Sequence, residues 1–460
     1  MHLIWFRQDL RVSDHSALSQ AVTAANDANQ PLMALFIITP EQHKKHNESV
    51  VKLDFIIAHV VDLIGRLQHL NISSLVKIVP DYAAIPEVFE SLIKDLSVKH
   101  IFWTKDYLIN EQKRDFAVEQ ICHLQQVSVH TSEPHYLLPP QSISKQDGGM
   151  YHVFTPYKNN FLKVLQANYA GPLKAPEKIN KPATVSTETE PLKSTWQNVL
   201  WPVGEQAAHQ RIKSFLINSD YDKYRDYPAI EGSSRLSPYL AIGVITARQC
   251  LAHALKVQGE SAFTSTWVSE LIWRDFYHDL ICWYPRLVKH QTFKAGAVDD
   301  WYYNPKIYSA WQTGQTGFPI IDAGMRQLQQ QHWMHNRVRM LTASFLTKLC
   351  LHDWRLGERH FMEQLLDADF ASNNGGWQWS SATGCDAAPY FRIFNPTTQS
   401  QKFDKNGDYI RQFVPELKDL SAKEIHCPNL AQRKACGYPE PIIEYKQARE
   451  NALNWFKSGH

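Results

Sequence analysis

The 460-residue sequence predicts an α/β N-terminal domain, a doubly wound and mostly parallel sheet, followed by an all-α C-terminal domain. Three observations predict it. Over residues 1–135 short apolar runs alternate with amphipathic helical patterns, the order of a parallel sheet wrapped by helices. Residues 171–200 carry four Pro among Lys, Thr and Glu, the composition of a long exposed connector. From about residue 205 onward long helical patterns dominate and strand signals vanish. Domains are therefore expected at 1–135 and 205–460, with 136–204 as the connector.

The runs HLIWF (2–6), LMALFII (32–38), LVKIV (75–79) and HIFWT (100–104) read as strands buried on both faces. The stretches 50–70 and 110–124 place apolar residues at helical spacing and read as amphipathic helices. No GxGxxG follows the first strand, so no dinucleotide pyrophosphate is expected there. No repeat of 20–50 residues is visible.

Hydrophobic content of 44% is that of a globular protein, and no run of eighteen apolar residues suggests a membrane span. MHLIWFRQDLRVSDH does not read as a signal peptide. The seven Cys, at 122, 250, 282, 350, 385, 427 and 436, form no CxxC pair, so neither a metal site nor a disulfide framework is expected. A reducing cytoplasm is the expected location. Net charge is only +2, so any nucleic-acid contact needs a local basic patch. Of 14 Trp only Trp5 and Trp103 precede residue 190, which gives the two parts of the chain different work.

Four segments carry chemistry. LDADFASNNGGWQWSSATGCDAAPYFRIFNP (366–396) combines acids, paired Asn, paired Gly and two Trp with few aliphatics, unlike a core helix. It suits the approach of backbone and amide groups to a large planar ligand. In WVSELIWRDFYHDLICWY (267–284) a helix sets Glu270, Trp273 and Arg274 at i, i+3 and i+4. Glu270 either pairs with Arg274 or keeps its proton among aromatics and donates it to a ligand carbonyl. In HWMHNRVRMLTASFLTKLC (332–350) Asn336 and Met340 share a face flanked by Arg337 and Arg339, a solvated basic side or a contact surface. In YDKYRDYPAIEGSSRLSPYL (221–240) Gly-Ser-Ser-Arg-Leu-Ser before a helix forms an N-cap or an anion site.

These motifs resemble those of the photolyase/cryptochrome family, and within it the class I cyclobutane pyrimidine dimer photolyases of folate type. The resemblance runs from WFRQDLR (5–11) to YPEPIIEYKQAR (438–449). It implies FAD, active as FADH⁻, held by Tyr221, Ser233, Ser234, Arg235, Leu236, Ser237, Trp333, Arg339, Asp367, Asp369 and Asn373. Arg339 pairs with Asp367 in that pattern, and Asn373 faces flavin N5, where a neutral amide favours the reduced form. The implied lesion and DNA contacts are Arg225, Glu270, Trp273, Asn336, Arg337, Met340, Trp379 and Arg392. Glu270 would hydrogen-bond the dimer and Trp273 stack on it. Trp301, Trp354 and Trp377 resemble the family's electron-transfer chain; taken singly, without that resemblance, each reads as core packing.

A 5,10-methenyltetrahydrofolate antenna is implied by His46, Asn47, Asn110, Glu111 and Lys289, although Val288 stands where the folate-type pattern has Cys. Asn110–Glu111 also reads as a helix cap. The implied activity is light-driven repair of pyrimidine dimers in UV-damaged DNA, by electron transfer from excited FADH⁻ to a flipped-out dimer, in a monomer. The rivals are a signalling cryptochrome, a cryptochrome-DASH enzyme acting on single strands, and a folate- or nucleotide-binding protein without photochemistry. The retained lesion set and a chain that stops soon after the last motif argue for repair.

Overall fold

The computed structural model describes residues 1–134, 136–184, 188–189, 192–218, 220–297 and 299–458. The expected domain limit at residue 135, connector residues 185–187 and 190–191, and the final two residues of the expected second domain lie outside them. The chain forms two compact units. The first comprises Met1–Tyr151, Thr155–Ile217 and Ser234–Val288; the second His152–Phe154, Asn218–Ser233 and Lys289–His460. Compactness and secondary-structure class thus divide the chain at different places, since the first unit also takes in helices beyond residue 205.

The first unit holds a six-stranded sheet of β1 (His2–Phe6), β2 (Leu32–Ile38), β3 (Ser73–Ile78), β4 (His100–Thr104), β5 (Ser128–Ser132) and the two-residue β6 (Glu188–Thr189). Its order is β5-β4-β1-β2-β3-β6, and every pairing is parallel. β1 is buried along its whole length, which is why its run of apolar residues shows no alternation. Helices Val50–His69 and Ile109–Leu124 lie where the sequence placed them. Ser16–Asp27, Pro40–Lys45 and Ile85–Leu96 add further helical turns. Leu3, Trp5, Met33, Leu35, Leu75, Phe89 and Trp103 share the core on one side of the sheet.

The second unit is helical, and among the described residues strands end at Thr189. Its core gathers Trp311, Leu328, Met334, Val338, Phe345, Trp354, Phe361, Trp377 and Tyr409. Helix Asn336–Ser344 runs into a π-helical turn, Phe345–Leu349, all of whose residues are buried. Helices Trp354–Gln364 and Phe370–Ser380 follow. They meet at Gly357, where a Cβ would lie 2.1 Å from the Trp377 ring, so the indole occupies the space that any larger residue would need. Among the described residues no helix is long and apolar enough to cross a membrane, and no group of three His, Cys, Asp or Glu is arranged to hold a metal ion.

Candidate active-site residues

In the second unit the acid-rich segment resolves into a cap and a helix. Asp369 is the N-cap of Phe370–Ser380, its carboxylate accepting from the Ser372 amide at 2.9 Å. Asp367, buried just before the cap, takes Arg339 Nη2 at 2.8 and 3.1 Å. Arg339 Nε donates to the Met334 carbonyl at 2.8 Å, so the guanidinium is fixed at both ends. A buried carboxylate held by a guanidinium keeps its charge without an unpaired desolvation penalty.

Asn373 donates Nδ2 to the Glu358 backbone carbonyl at 2.9 Å. The neighbouring network was not visible in the sequence. Glu358, 1% exposed, accepts from Asn374 Nδ2 at 2.8 Å and pairs with His290 Nδ1 at 2.8 Å. Gln378 Nε2 then donates to Asn374 Oδ1 at 2.9 Å. Glu358 raises the His290 pKa above its ordinary value, chiefly through that hydrogen bond. A Cβ built at Gly376 would meet nothing within 4 Å, so this helix face is open beside Asn373.

Trp333 is buried just ahead of helix Asn336–Ser344, whose N-cap is His335. Asn336 is exposed and Met340 half-buried on it. Arg337 binds Asp226 at 2.7 Å and lies over the Phe403 ring at 4.5 Å. Arg225 lies over the Tyr221 ring at 5.2 Å. Trp379 is half-buried, and Arg392 is exposed on a turn closed by its amide to the Pro389 carbonyl at 2.9 Å.

Of the three relay candidates, Trp354 and Trp377 are buried at 0% and 2%, while Trp301 is half-buried. Trp377 stands edge-on to Phe361 at 5.0 Å and to Trp311 at 6.0 Å. The Trp377 ring rests on Gly357, one helical turn beyond Trp354. Trp301 donates Nε1 to Asp299 at 3.1 Å and packs on Trp455 at 4.7 Å between ring centroids, a neighbour that sequence spacing could not reveal.

In the first unit helix Thr266–Trp283 carries half-buried Glu270 and Trp273. Trp273 stacks on Tyr277 at 5.5 Å and stands edge-on to Phe276 at 5.6 Å. Arg274 lies over the Tyr136 ring at 5.4 Å and points Nη2 at the Leu240 carbonyl, 3.5 Å away. The Gly-Ser-Ser-Arg-Leu-Ser run straddles the two units, with Ser233 in the second and Ser234, Arg235, Leu236 and Ser237 in the first. Its helix, Ser237–Ala241, is five residues long and has Leu236 as N-cap without a side-chain hydrogen bond, so the serine-cap reading is not what forms. Arg235 takes a positive φ of 48° and accepts Trp201 Nε1 on its carbonyl at 3.2 Å.

The antenna candidates of this unit converge. His46 closes helix Pro40–Lys45, and Asn47 makes the following left-handed turn at φ 54°. His46 Nε2 accepts from Gln42 at 2.8 Å and from Asn110 Nδ2 at 3.0 Å. Burial lowers the His46 pKa, which keeps its ring a neutral acceptor. Leu108, not Asn110, is the N-cap of helix Ile109–Leu124, so the Asn110 amide serves His46 rather than the helix end. Glu111 accepts from Tyr82 Oη at 3.0 Å and lies 3.7 Å from His46 Nδ1. Burial, then the Asp106 charge, push the Glu111 carboxyl up to about 7. Lys289 is exposed and belongs to the second unit.

A sequence profile of the FAD binding domain of DNA photolyase matches residues 267–458, and one of DNA photolyase matches residues 2–178. The chain is 43% identical to the deoxyribodipyrimidine photo-lyase of Escherichia coli, over 98% of this chain and 97% of that one. It is 39% identical to that of Vibrio cholerae, over 100% and 99%. Among solved structures it is similar to a class III photolyase from Agrobacterium tumefaciens, with a TM-score of 0.88 and 31% identity over 100% and 97% of the two chains. A cryptochrome from Synechocystis, at 24% identity and a TM-score of 0.85 over 99% and 98%, shares the fold.

Proposed function

We infer the function from ancestry: the chain belongs to the photolyase/cryptochrome family and is a light-driven DNA-repair enzyme, a lyase that splits cyclobutane pyrimidine dimers in UV-damaged DNA. The observation that carries this is likeness to curated deoxyribodipyrimidine photo-lyases along almost the whole chain. FAD is its cofactor. When bound, FAD supplies light absorption and, as FADH⁻, an electron lent to the flipped-out dimer and returned once the ring has split.

The residues fit such a group. Asp367 does not confront an electron-rich ring unneutralised, because Arg339 answers its charge at 2.8 Å. Asn373 is anchored by the Glu358 carbonyl, and the open face at Gly376 leaves room for a flat ligand. In this reading Arg339 and Asp367 orient the flavin, and the Asn373 amide presents a neutral group that neither adds nor removes a proton. Asp369 contributes while capping its helix, and Tyr221 and Ser233–Ser237 hold the rest of FAD. Trp301, Trp354 and Trp377 pass an electron inward from the surface when the cofactor must be reduced.

Glu270 hydrogen-bonds a carbonyl of the dimer and stabilises charge arriving on it, while Trp273 offers its flat face to the extruded bases. Asn336, Met340 and Trp379 are further lesion contacts, and Arg225, Arg337 and Arg392 bind phosphates. Glu270, Trp273 and Met340 favour repair over a signalling cryptochrome. The domain roles follow: residues 1–135 carry the antenna, 136–204 connect, and 205–460 bind FAD and DNA. A folate antenna is supported by the neutral His46, the Asn110 amide and a Glu111 carboxyl near 7, poised to share a proton with a pterin ring. Lys289 completes that set in the folate-type pattern, and the protein works as a cytoplasmic monomer.

The test is Glu270→Ala. FAD content should match the parent, while dimers split per absorbed photon fall several-fold, on the order of the loss of one charge-stabilising donor. Equal photon yields in flavin-loaded variant and parent would remove Glu270 from the chemistry.

A further inference from the structure

Lys348 is 1% exposed in the π-helical turn Phe345–Leu349, where every neighbouring residue of the turn is also buried. An ammonium at such a place ordinarily has a carboxylate partner. Lys348 instead gives Nζ to two backbone carbonyls, Pro389 at 3.1 Å and Arg392 at 3.2 Å. The charges acting on it, Arg392 and Lys294, are both positive. Together with burial, which is the larger cause, they bring its pKa down to about 8.

A methionine or leucine in this turn would avoid the cost of burying the amine. What the amine does in return is local. Residues 383–395 form no helix or strand, and the Pro389 carbonyl already closes the turn on the Arg392 amide at 2.9 Å. Lys348 therefore grips both ends of a four-residue turn and ties it to the helical core. Beyond that grip the turn exposes Phe391 at 61% and the Arg392 side chain. π-helical turns are locally costly and recur at functional sites, and here the turn aims a long side chain inward.

We propose that Lys348 is a positioning residue for DNA binding: its amine fixes the Pro389–Arg392 turn so that Arg392 is presented, already ordered, to a DNA phosphate. The proposal rests on the reading of Arg392 as a phosphate contact. Fixing the backbone on both sides of Arg392 removes ordering entropy that binding would otherwise have to meet. Lys348 touches neither cofactor nor lesion in this scheme, so its effect belongs in affinity rather than in photon yield.

The experiment is a double-mutant cycle on the flavin-loaded full chain with Lys348→Met, Arg392→Ala and the pair. The probe is a duplex containing one thymine dimer. Each single variant should bind it about fivefold to tenfold more weakly, with the salt slope reduced by about one. The pair should be no weaker than Arg392→Ala alone, and repair per photon at saturating duplex should change far less than affinity. Additive losses, or a loss of photon yield at unchanged affinity, would overturn the proposal. Weakening by Arg392→Ala without weakening by Lys348→Met sinks the clamp alone. Unchanged affinity in Arg392→Ala sinks the phosphate reading and the clamp with it. Should Lys348→Met not fold, Lys348→Gln enters the same cycle, where coupling to Arg392→Ala supports the clamp and additivity refutes it.

Discussion

Asp367 in the helical unit and Glu111 in the α/β unit are both buried acids, but their surroundings differ. Asp367 is met by a guanidinium at 2.8 Å. Glu111 has a phenol at 3.0 Å, a neutral imidazole at 3.7 Å and the repelling charge of Asp106, and burial drives its carboxyl up to about 7 although the Arg114 charge pulls the other way. The first arrangement fixes a charge; the second keeps a proton available. The difference teaches how one chain can hold two buried carboxyls in opposite ways, one answered by a guanidinium and the other kept protonated among hydrogen-bonding neighbours.

The largest way to break the comparison is Arg339→Met. It leaves Asp367 buried without its partner, so unfolding in urea should show a loss of about 3 kcal/mol, with weaker flavin retention. Adding Asp367→Asn should recover part of the loss. A single variant as stable as the parent would mean that Asp367 never depended on the guanidinium.

Glu111→Gln sharpens the other side. Glu111 has its folded pKa raised from 4.5 to about 7, so the native state keeps a proton that the unfolded chain releases. Its contribution is full below 4.5 and is lost as pH rises to about 7. The Gln variant lacks that decline and should gain on the parent between pH 5 and pH 8 by roughly 2–3 kcal/mol. Parallel stability curves for the two proteins would place the Glu111 proton elsewhere.

The smallest effect concerns Arg337, already held by Asp226 at 2.7 Å. A phosphate must compete with that carboxylate, so Arg337→Ala should change the salt slope of duplex binding by less than about one counterion. A full unit would show that Asp226 yields completely. Arg392, whose side chain is exposed, is the expected contrast.

What was legible in the sequence follows the same division between patterned and unpatterned burial. Strands β1, β2 and β4 are built on apolar runs and could be read directly, whereas β3 was read from Leu75 onward and begins two serines earlier, at Ser73. β5, SVHTS, is an edge strand with only Ser132 fully buried, so no apolar run announced it. β6 is two residues inside a stretch whose Pro and Thr content spoke for a connector. Helix Ser16–Asp27 buries mainly Ala, too small a signal beside Val50–His69. At the site, Arg339 and Asp367 came from a motif likeness and not from spacing, for they lie 28 positions apart. Glu358 and Lys348 were missed because an isolated charge on a helix looks solvated until its neighbours are known. Trp455 was missed because only the fold brings the C-terminal helix to Trp301.

Gly357 and the indole it accommodates have a consequence for how this protein can change over generations. With the Trp377 ring 2.1 Å from where a first side-chain carbon would sit, the two positions share one volume. Neither codon can drift alone: enlarging residue 357 evicts the indole, and shrinking residue 377 opens a void that glycine cannot fill. A lineage that exchanged this tryptophan would have to pass through a less stable ancestor or alter both codons together. The pair is therefore a ratchet on the molecule's history as much as a contact in its core.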